Sequence, residues 1–252
     1  MGQNQAKIMG SKNIPMGPKR KPTKRGLFFE PNGDGTCRLV EPGLFLEKEV
    51  MIPEIHKGMR VVEIAKEAFT KCQKITKIII PGTVTSIGES AFWDCPNLAS
   101  VMLGNGVKEI GPGAFDDCRN LTSVSIPDSV TSIGNGAFID CSRLMRIIIP
   151  DRVTKIGKLT FANCYELTSV AIGDGVTEIG WRAFYHCSAL TSVEIGSGVK
   201  SIDEKAFEDC KGLANIAFNG TKAQWKSVSK GAYWKYNVPA TEVICTDGRV
   251  LL

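Results

Sequence analysis

Apolar side chains along this chain return to the same place every 23 residues. Phe69, Phe92, Phe115, Phe138, Phe161, Phe184 and Phe207 form one such row, and Cys72, Cys95, Cys118, Cys141, Cys164, Cys187 and Cys210 follow it three residues later. Ile64, Ile87, Ile110, Ile133, Ile156, Ile179 and Ile202 make a third row. A β-branched row runs Ile78, Val101, Val124, Ile147, Val170, Val193 and Ile216. Leu98, Leu121, Leu144, Leu167, Leu190 and Leu213 complete the set, with Ile75 at its head. No insertion or deletion disturbs the step. Such self-similarity is the signature of a stacked repeat.

Within one unit the period changes. Leu121-Thr-Ser-Val124-Ser-Ile126 alternates apolar with polar positions, as a half-buried strand does. Pro127 ends it, because proline cannot donate to a ladder, and glycine holds that place in other repeats. Val130 to Ile133 predicts a second short extended segment, and Ala137-Phe138-x-x-Cys141 has the i, i+3 spacing of a helical turn. A unit of this size cannot bury its own apolar face. Stacking equivalent strands about 4.8 Å apart turns each row into a ladder and the core into a column. The fold expected is an α/β solenoid, predominantly β, a right-handed stack of about seven turns with parallel strands and short helical turns.

The unit Leu-x-x-Val-x-Ile-Pro-x-x-Val-Thr-x-Ile-Gly-x-x-Ala-Phe-x-x-Cys closely resembles the BspA-like class of leucine-rich repeats, over roughly residues 46–218. Phe29-Glu-Pro-Asn-Gly-Asp-Gly-Thr-Cys37, followed by Val50-Met-Ile-Pro53, resembles the hairpin that opens such arrays. Asn219-Gly-Thr-Lys-Ala-Gln-Trp225, with Cys245-Thr-Asp-Gly248, resembles a closing segment. The expected division is a basic tail over 1–26, an N-terminal cap with a strand or hairpin over 27–60, the solenoid over 61–218 and a C-terminal cap over 219–252. The resemblance implies a binding role, and in studied members of the class a cell-surface one. Residues 1–26 nevertheless lack the apolar stretch of a secretory signal, and the ladder cysteines read as reduced thiols, which points to the cytoplasm.

Little in the chain suggests reaction chemistry. The two histidines, His56 and His186, belong to no metalloprotease, nucleophile-elbow, phosphate-loop or dinucleotide pattern, so no catalytic residue and no cofactor is expected. Cysteines spaced by 23 with no close pair argue against a metal site, and side chains that point parallel in a ladder do not pair as disulfides. They read instead as small buried fillers. The position before each cysteine runs Lys71, Asp94, Asp117, Asp140, Asn163, His186 and Asp209. That row reads as turn residues bonding local backbone donors, ahead of a calcium-binding reading. The glycines Gly88, Gly111, Gly134, Gly157 and Gly180 form a further row in which Ala65 and Asp203 stand elsewhere, so a positive φ is not required there. His186 with Trp181 and Tyr185 is a cluster on one repeat that could touch a partner.

Strand alternation then selects a candidate surface. With the Val/Ile row inward, the outward positions are Lys77, Ile79, Ser100, Met102, Ser123, Ser125, Arg146, Ile148, Ser169 and Glu194, with Ala171, Ser192, Asn215 and Ala217 beside them. Ile79 and Met102 would be exposed apolar neighbours able to anchor a protein or other macromolecule. The net charge of +5 resides outside the repeats. Residues 1–26 hold seven basic residues and no acid, so the remaining 226 residues carry 24 basic against 26 acidic side chains and sum to −2. Lys19, Arg20, Lys21, Lys24 and Arg25 form a basic cluster whose expected partners are nucleic acid or an acidic surface. The working expectation is a monomeric, non-enzymatic binding scaffold. Its rivals are a nucleic-acid binder acting through the tail and a bacterial surface adhesin.

Overall fold

The computed structural model describes residues 26–43 and 47–252. The alternating segment of each repeat is a strand of three or four residues, and equivalent strands pair in parallel, with register partners 23 residues apart through most of the array. Nine parallel strands stand in this column: Glu49–Met51, Lys77–Ile80, Ser100–Leu103, Ser123–Ser125, Arg146–Ile149, Ser169–Ile172, Ser192–Ile195, Asn215–Phe218 and Glu242–Cys245. The rod thus has about nine turns rather than seven. The two extra turns come from chain that the 23-residue rows do not reach. Glu49–Met51 pairs with Lys77–Ile80, and Glu242–Cys245 pairs with Asn215–Phe218 although the helix Lys222–Ser227 lengthens the loop between them. Thr221 caps that helix by accepting from Gln224 N, and Trp225 is its buried residue.

A second column of two-residue strands follows the first around each turn, including Ser86–Ile87, Glu109–Ile110 and Ser132–Ile133. It begins with the Leu27–Pro31 and Thr36–Pro42 hairpin, whose second strand runs parallel to Met59–Ile64. Both columns are interrupted at the same height. No strand pairing joins Ser123–Ser125 to Arg146–Ile149, nor Ser132–Ile133 to Lys155–Ile156.

The third side of each turn is not helical. Among the described residues the only α-helix is Lys222–Ser227. The Ala-Phe-x-x-Cys segments do close i→i+3 bonds, such as Ala91 N to Gly88 O and Trp93 N to Ser90 O. Two residues in each segment, however, sit in the left-handed region. The row Glu67, Ser90, Gly113, Gly136, Leu159, Arg182 and Lys205 has φ of 52° to 62°. The row Lys71, Asp94, Asp117, Asp140, Asn163, His186 and Asp209 has φ of 53° to 61°. A left-handed residue every fourth position stops a helix from propagating. It also turns the amides of alternate peptides toward the following turn, so that Phe92 N donates to Ala114 O and Asp94 N to Asp116 O. Strand amides donate the other way, as Ala99 N does to Thr76 O. Each turn is therefore tied to both neighbours.

The core is a column of identical layers. Consecutive phenylalanine rings from Phe69 to Phe207 stack with centroids 4.9–5.4 Å apart and planes within 13°. Trp234 ends the column edge-on against Phe207 at 6.3 Å. All nine cysteines are free thiols. The ladder cysteines are more than fillers, because each sulfhydryl from Cys95 to Cys210 donates to the carbonyl of the phenylalanine 26 residues earlier, at 3.1–3.4 Å. Cysteine here supplies both a small apolar volume and a weak donor.

Candidate functional site

Alternation along the long strands sends Val and Ile into the column and leaves the residues between them on an open sheet face. Val101, Ile147, Val170 and Val193 are buried, while their neighbours Met102 and Ile148 are 51% and 68% exposed. All ten sequence-selected residues lie on this face. Ser123, Ser125, Arg146 and Glu194 are exposed, whereas Lys77, Ile79, Ser100 and Ser169 are half-buried between adjacent strands. Lys77 forms an ion pair with Glu49 at 3.3 Å.

The interruption between Ser123–Ser125 and Arg146–Ile149 divides the face in two. The first part carries Lys77, Ile79, Ser100, Met102, Ser123 and Ser125 on a four-stranded sheet. Met51, Ile79 and Met102 are register partners there, forming one apolar row. The second part carries Arg146, Ile148, Ser169 and Glu194 on the six-stranded sheet. It holds a shallow depression of about 410 Å³, floored by Ser169, Ala171, Ser192 and Ala217, with Arg146 and Ile148 on one rim and Ile244 on the other. Ile148 and Ile244 lie four strand steps apart, about 19 Å at ordinary strand spacing. The central strands are paired on both edges, so it is chiefly side chains that are offered to a ligand. Exposed Ile148 and Ile244 at the two ends of a row that holds Ala171, Glu194 and Ala217 between them suit apolar anchoring about one central charge.

Two of these residues escaped the sequence reading. Met51 is 69% exposed and Ile244 is 45% exposed. Both lie in the turns added at the ends of the 23-residue register. The alternations Val50-Met51-Ile52 and Val243-Ile244-Cys245 were the available signal.

The other candidates resolve into structure. The row before the cysteines carries its polar residues because Asn, Asp and His tolerate left-handed φ better than most side chains. These side chains engage each other and their neighbours rather than local backbone donors. Arg119 Nε donates to Asp117 Oδ1 at 2.6 Å. His186 Nε2 lies 2.9 Å from Asp209 Oδ2, and Asn237 Nδ2 donates to Asp209 Oδ1 at 2.7 Å. The bond from Asn237, joined by that of His186, holds the Asp209 carboxyl below the usual carboxylate range. No group of three or more His, Cys, Asp or Glu among the described residues is placed to hold a metal ion. Around His186, the Arg182 guanidinium stacks over Trp181 at 4.7 Å and Tyr185 at 4.5 Å, and also pairs with Glu208 at 3.4 Å. The His186 ring lies 3.8 Å from Tyr185. This cluster cements three successive turns. Burial pushes the thiols of Cys118, Cys141 and Cys187 well above the ordinary range, which leaves them unreactive. The glycine row at Gly88, Gly111 and Gly134 has no positive φ. A Cβ there would fall 2.3–2.7 Å from backbone of the preceding turn, so close approach requires the glycine. No helix among the described residues is long and apolar enough to cross a membrane. The basic residues Lys19, Arg20, Lys21, Lys24 and Arg25 lie outside the described residues.

Comparison with known proteins agrees with this geometry. A leucine-rich repeat protein of Treponema pallidum is similar to the chain, with 28% identity and a TM-score of 0.70 over 80% of this chain and 91% of that one. A leucine-rich repeat protein of Bacteroides ovatus has 24% identity and a TM-score of 0.58 over 89% of this chain and 70% of that one, a likeness of fold. No curated protein sequence matches the chain. The BspA type leucine rich repeat region matches residues 45–168 and 132–238, in 6 copies. With three quarters of its length so matched, and with the ring, thiol and strand ladders that this repeat builds, the chain belongs to the BspA-type leucine-rich-repeat family.

Proposed function

We propose that this protein is a non-enzymatic scaffold that holds a protein partner on the open sheet face, centred on the depression between Ile148 and Ile244. The observation that supports this most is the contrast within that face. Exposed Ile148 and Ile244 flank a floor of Ser169, Ala171, Ser192 and Ala217, with Glu194 at its middle, that no other segment among the described residues covers. Apolar anchors around small, flat positions let a partner approach the sheet closely and exclude water there. Exposed Glu194 stands at the middle of the row Ile148, Ala171, Glu194, Ala217 and Ile244, with Arg146 on the rim, and this separation of opposite charges gives such a partner an orientation. Catalysis asks for a convergent nucleophile, base and oxyanion donor. The side chains of this face are serine, alanine, isoleucine and methionine, with Lys77, Arg146, Glu194 and Asn215 among them, and they stand in parallel rows rather than converging.

The test is capture of partners from an extract of the source cells by the full chain and by two double variants, Ile148→Glu with Ile244→Glu and Ile79→Glu with Met102→Glu. Because these side chains lie on the outer face of the sheet, Tm should move by no more than about 2 °C, in keeping with surface substitutions of a few tenths of a kcal/mol. The first pair is expected to abolish capture and the second to weaken it. Capture undiminished by either pair would remove the face from consideration. Repeating the assay without residues 1–26 across a salt series separates the rival. Binding that falls steeply with salt and vanishes on truncation belongs to the basic cluster and an acidic partner.

A further inference from the structure

The rod is not uniform along its axis, and several independent features mark one height. Neither strand column continues from the turn holding Ser123–Ser125 to the turn holding Arg146–Ile149, so the two columns form four separate sheets. Val124 and Ile133, on the near side of this break, are the least covered side chains of their rows. Val124 and Ile126 are each 8% exposed and Ile133 is 6%, against 0–3% for Val101, Ile110, Val170 and Ile179. A solvent-filled notch of about 420 Å³ opens between Asp128-Ser129 and Asp151-Arg152, and another of about 250 Å³ lies beside Ile133 and Lys155. On the opposite side of the same two turns nothing is broken. Gly136 N donates to Lys158 O, Phe138 N to Thr160 O and Asp140 N to Ala162 O, at 2.8–2.9 Å. The Phe138 and Phe161 rings stay stacked at 5.4 Å.

One repeat combines three departures at the break, although Pro127, Ser129 and Ala99 hold the same places in turns whose strands stay paired. Pro150 stands where Gly104 and Gly173 donate to Ile80 O and Ile149 O, so the equivalent bond to Ile126 O cannot form. Arg152 stands where Gly106 and Gly175 lie so close to the turn below that a Cβ would fall 1.8 and 1.6 Å from a carbonyl oxygen. Arg152 puts a long charged side chain at that place, where Ser129 of the preceding turn has a short one and its strand stays paired. Met145 replaces the threonine whose hydroxyl, at Thr122 and Thr168, donates to the preceding turn, and its amide bond to Thr122 O is stretched to 3.3 Å. Asp174 N is held by Asp151 Oδ1 at 2.9 Å, yet across the break Asp151 meets another acid, Asp128.

From these features we infer that the protein is two rigid blocks, meeting between residues 126 and 146, joined by a hinge. The turn side with its phenylalanine and cysteine ladders is the pivot, and the strand side is the mouth that opens. Arg146 and Ile148, on the lip of the C-terminal block, also face the depression, so flexing moves that rim relative to Met102 and Ser125. The hinge stands whether or not the face binds a protein.

Hydrogen–deuterium exchange on the full chain tests this, since opening at one edge speeds exchange there and not at the pivot. Peptides covering 146–149 and 155–156 should exchange about tenfold faster than those covering 169–172 and 178–179. Peptides covering 136–140, at the pivot, should match 159–163. Equal rates at the two strand segments, or fast exchange at both the mouth and the pivot, would overturn the hinge. The double variant Pro150→Gly with Arg152→Gly gives this turn the Ile-Gly-Asp-Gly sequence of 172–175, and is expected to slow exchange at 146–149 to the rate of 169–172. Unchanged exchange in a variant that retains its thermal transition would overturn the assignment of the break to these residues.

Discussion

The turn column and the strand columns are built from the same seven repeats, yet one runs unbroken through the rod and the others are cut halfway. The difference lies in what each asks of the sequence. The turn side rests on residue identity: a ring on a ring, a thiol on a carbonyl, and a left-handed residue before the cysteine. The ring and the left-handed residue are met in every repeat from Phe69 to Phe207, and the thiol bond in every repeat from Cys95 to Cys210. The strand side rests on small residues at the closest approach and on amide donors, and it tolerates Pro127 with Ser129, since Ser123–Ser125 still pairs with Ser100–Leu103. Three substitutions in one repeat, Met145, Pro150 and Arg152, are enough to part it. In a one-dimensional stack where each turn touches only its neighbours, such a fault is not repaired by contacts elsewhere.

The sharpest way to break the comparison is to remove the column that still bridges the gap. Phe138→Ala should cost about 3–5 kcal/mol, the usual range for truncating a buried ring. At this height it should do more, because the ring and the turn bonds are what couple the two blocks. Thermal unfolding of Phe138→Ala is expected to separate into two transitions, whereas Phe92→Ala, inside the N-terminal block, should lower a single transition by a similar amount. Two transitions in both variants, or one in both, would mean that coupling is spread evenly along the rod. A smaller effect is expected from Cys141→Ala, which removes a buried sulfur and its bond to Phe115 O and should cost about 1–2 kcal/mol. Cys141→Ser, which keeps a donor for Phe115 O but loses the apolar volume of the sulfur, should recover only part of it. Denaturant titration measures both.

How much of this was legible in the sequence follows the same division. The stacking of Phe92 on Phe115 at 5.1 Å could be read directly, because identical residues at a fixed step have one arrangement that buries them all. The outward face could be read from alternation. The helical reading of Ala-Phe-x-x-Cys failed because i, i+3 spacing is shared by a helix and by consecutive turns. Only the tolerance of Asp94, Asn163 and His186 for positive φ separates the two, and those residues invited a ligand or capping explanation first. The extra turns at Met51 and Ile244 were missed because the repeat length changes there, and a helix is spliced in at Lys222–Ser227. The break was overlooked for a different reason. A row that reads Gly, Ser, Arg, Gly, Gly at 106, 129, 152, 175 and 198 looks like tolerated variation until the position of Gly175, where an added Cβ would overlap the carbonyl oxygen of Asp151, shows what glycine permits.

The turn column carries a cost of its own, which pH exposes. Asp116 sits half-buried on the turn side with Asp94, Asp117 and Asp140 on its own and adjacent turns. Burial first, and then the negative charge of Asp140, Asp117 and Asp94, pushes its carboxyl up to about 7. Arg119 does not relieve it, because that guanidinium is committed to Asp117. The folded protein therefore holds this proton more tightly than the unfolded chain, whose carboxyl keeps the ordinary value of 3.8. The stabilising contribution of protonation is complete below about pH 4 and is lost as pH rises through about 7, beyond which the penalty is constant. Asp116→Asn removes the charge while keeping the shape. It should leave stability nearly unchanged at pH 4 and raise it at pH 8 by on the order of 1 kcal/mol, once solvent screening of a partly exposed group is allowed for. The measurement is the difference in Tm between variant and wild type at the two values. A gain of equal size at both would show that the carboxyl is ionised throughout, and that crowding of acids along the turn column does not set its proton affinity.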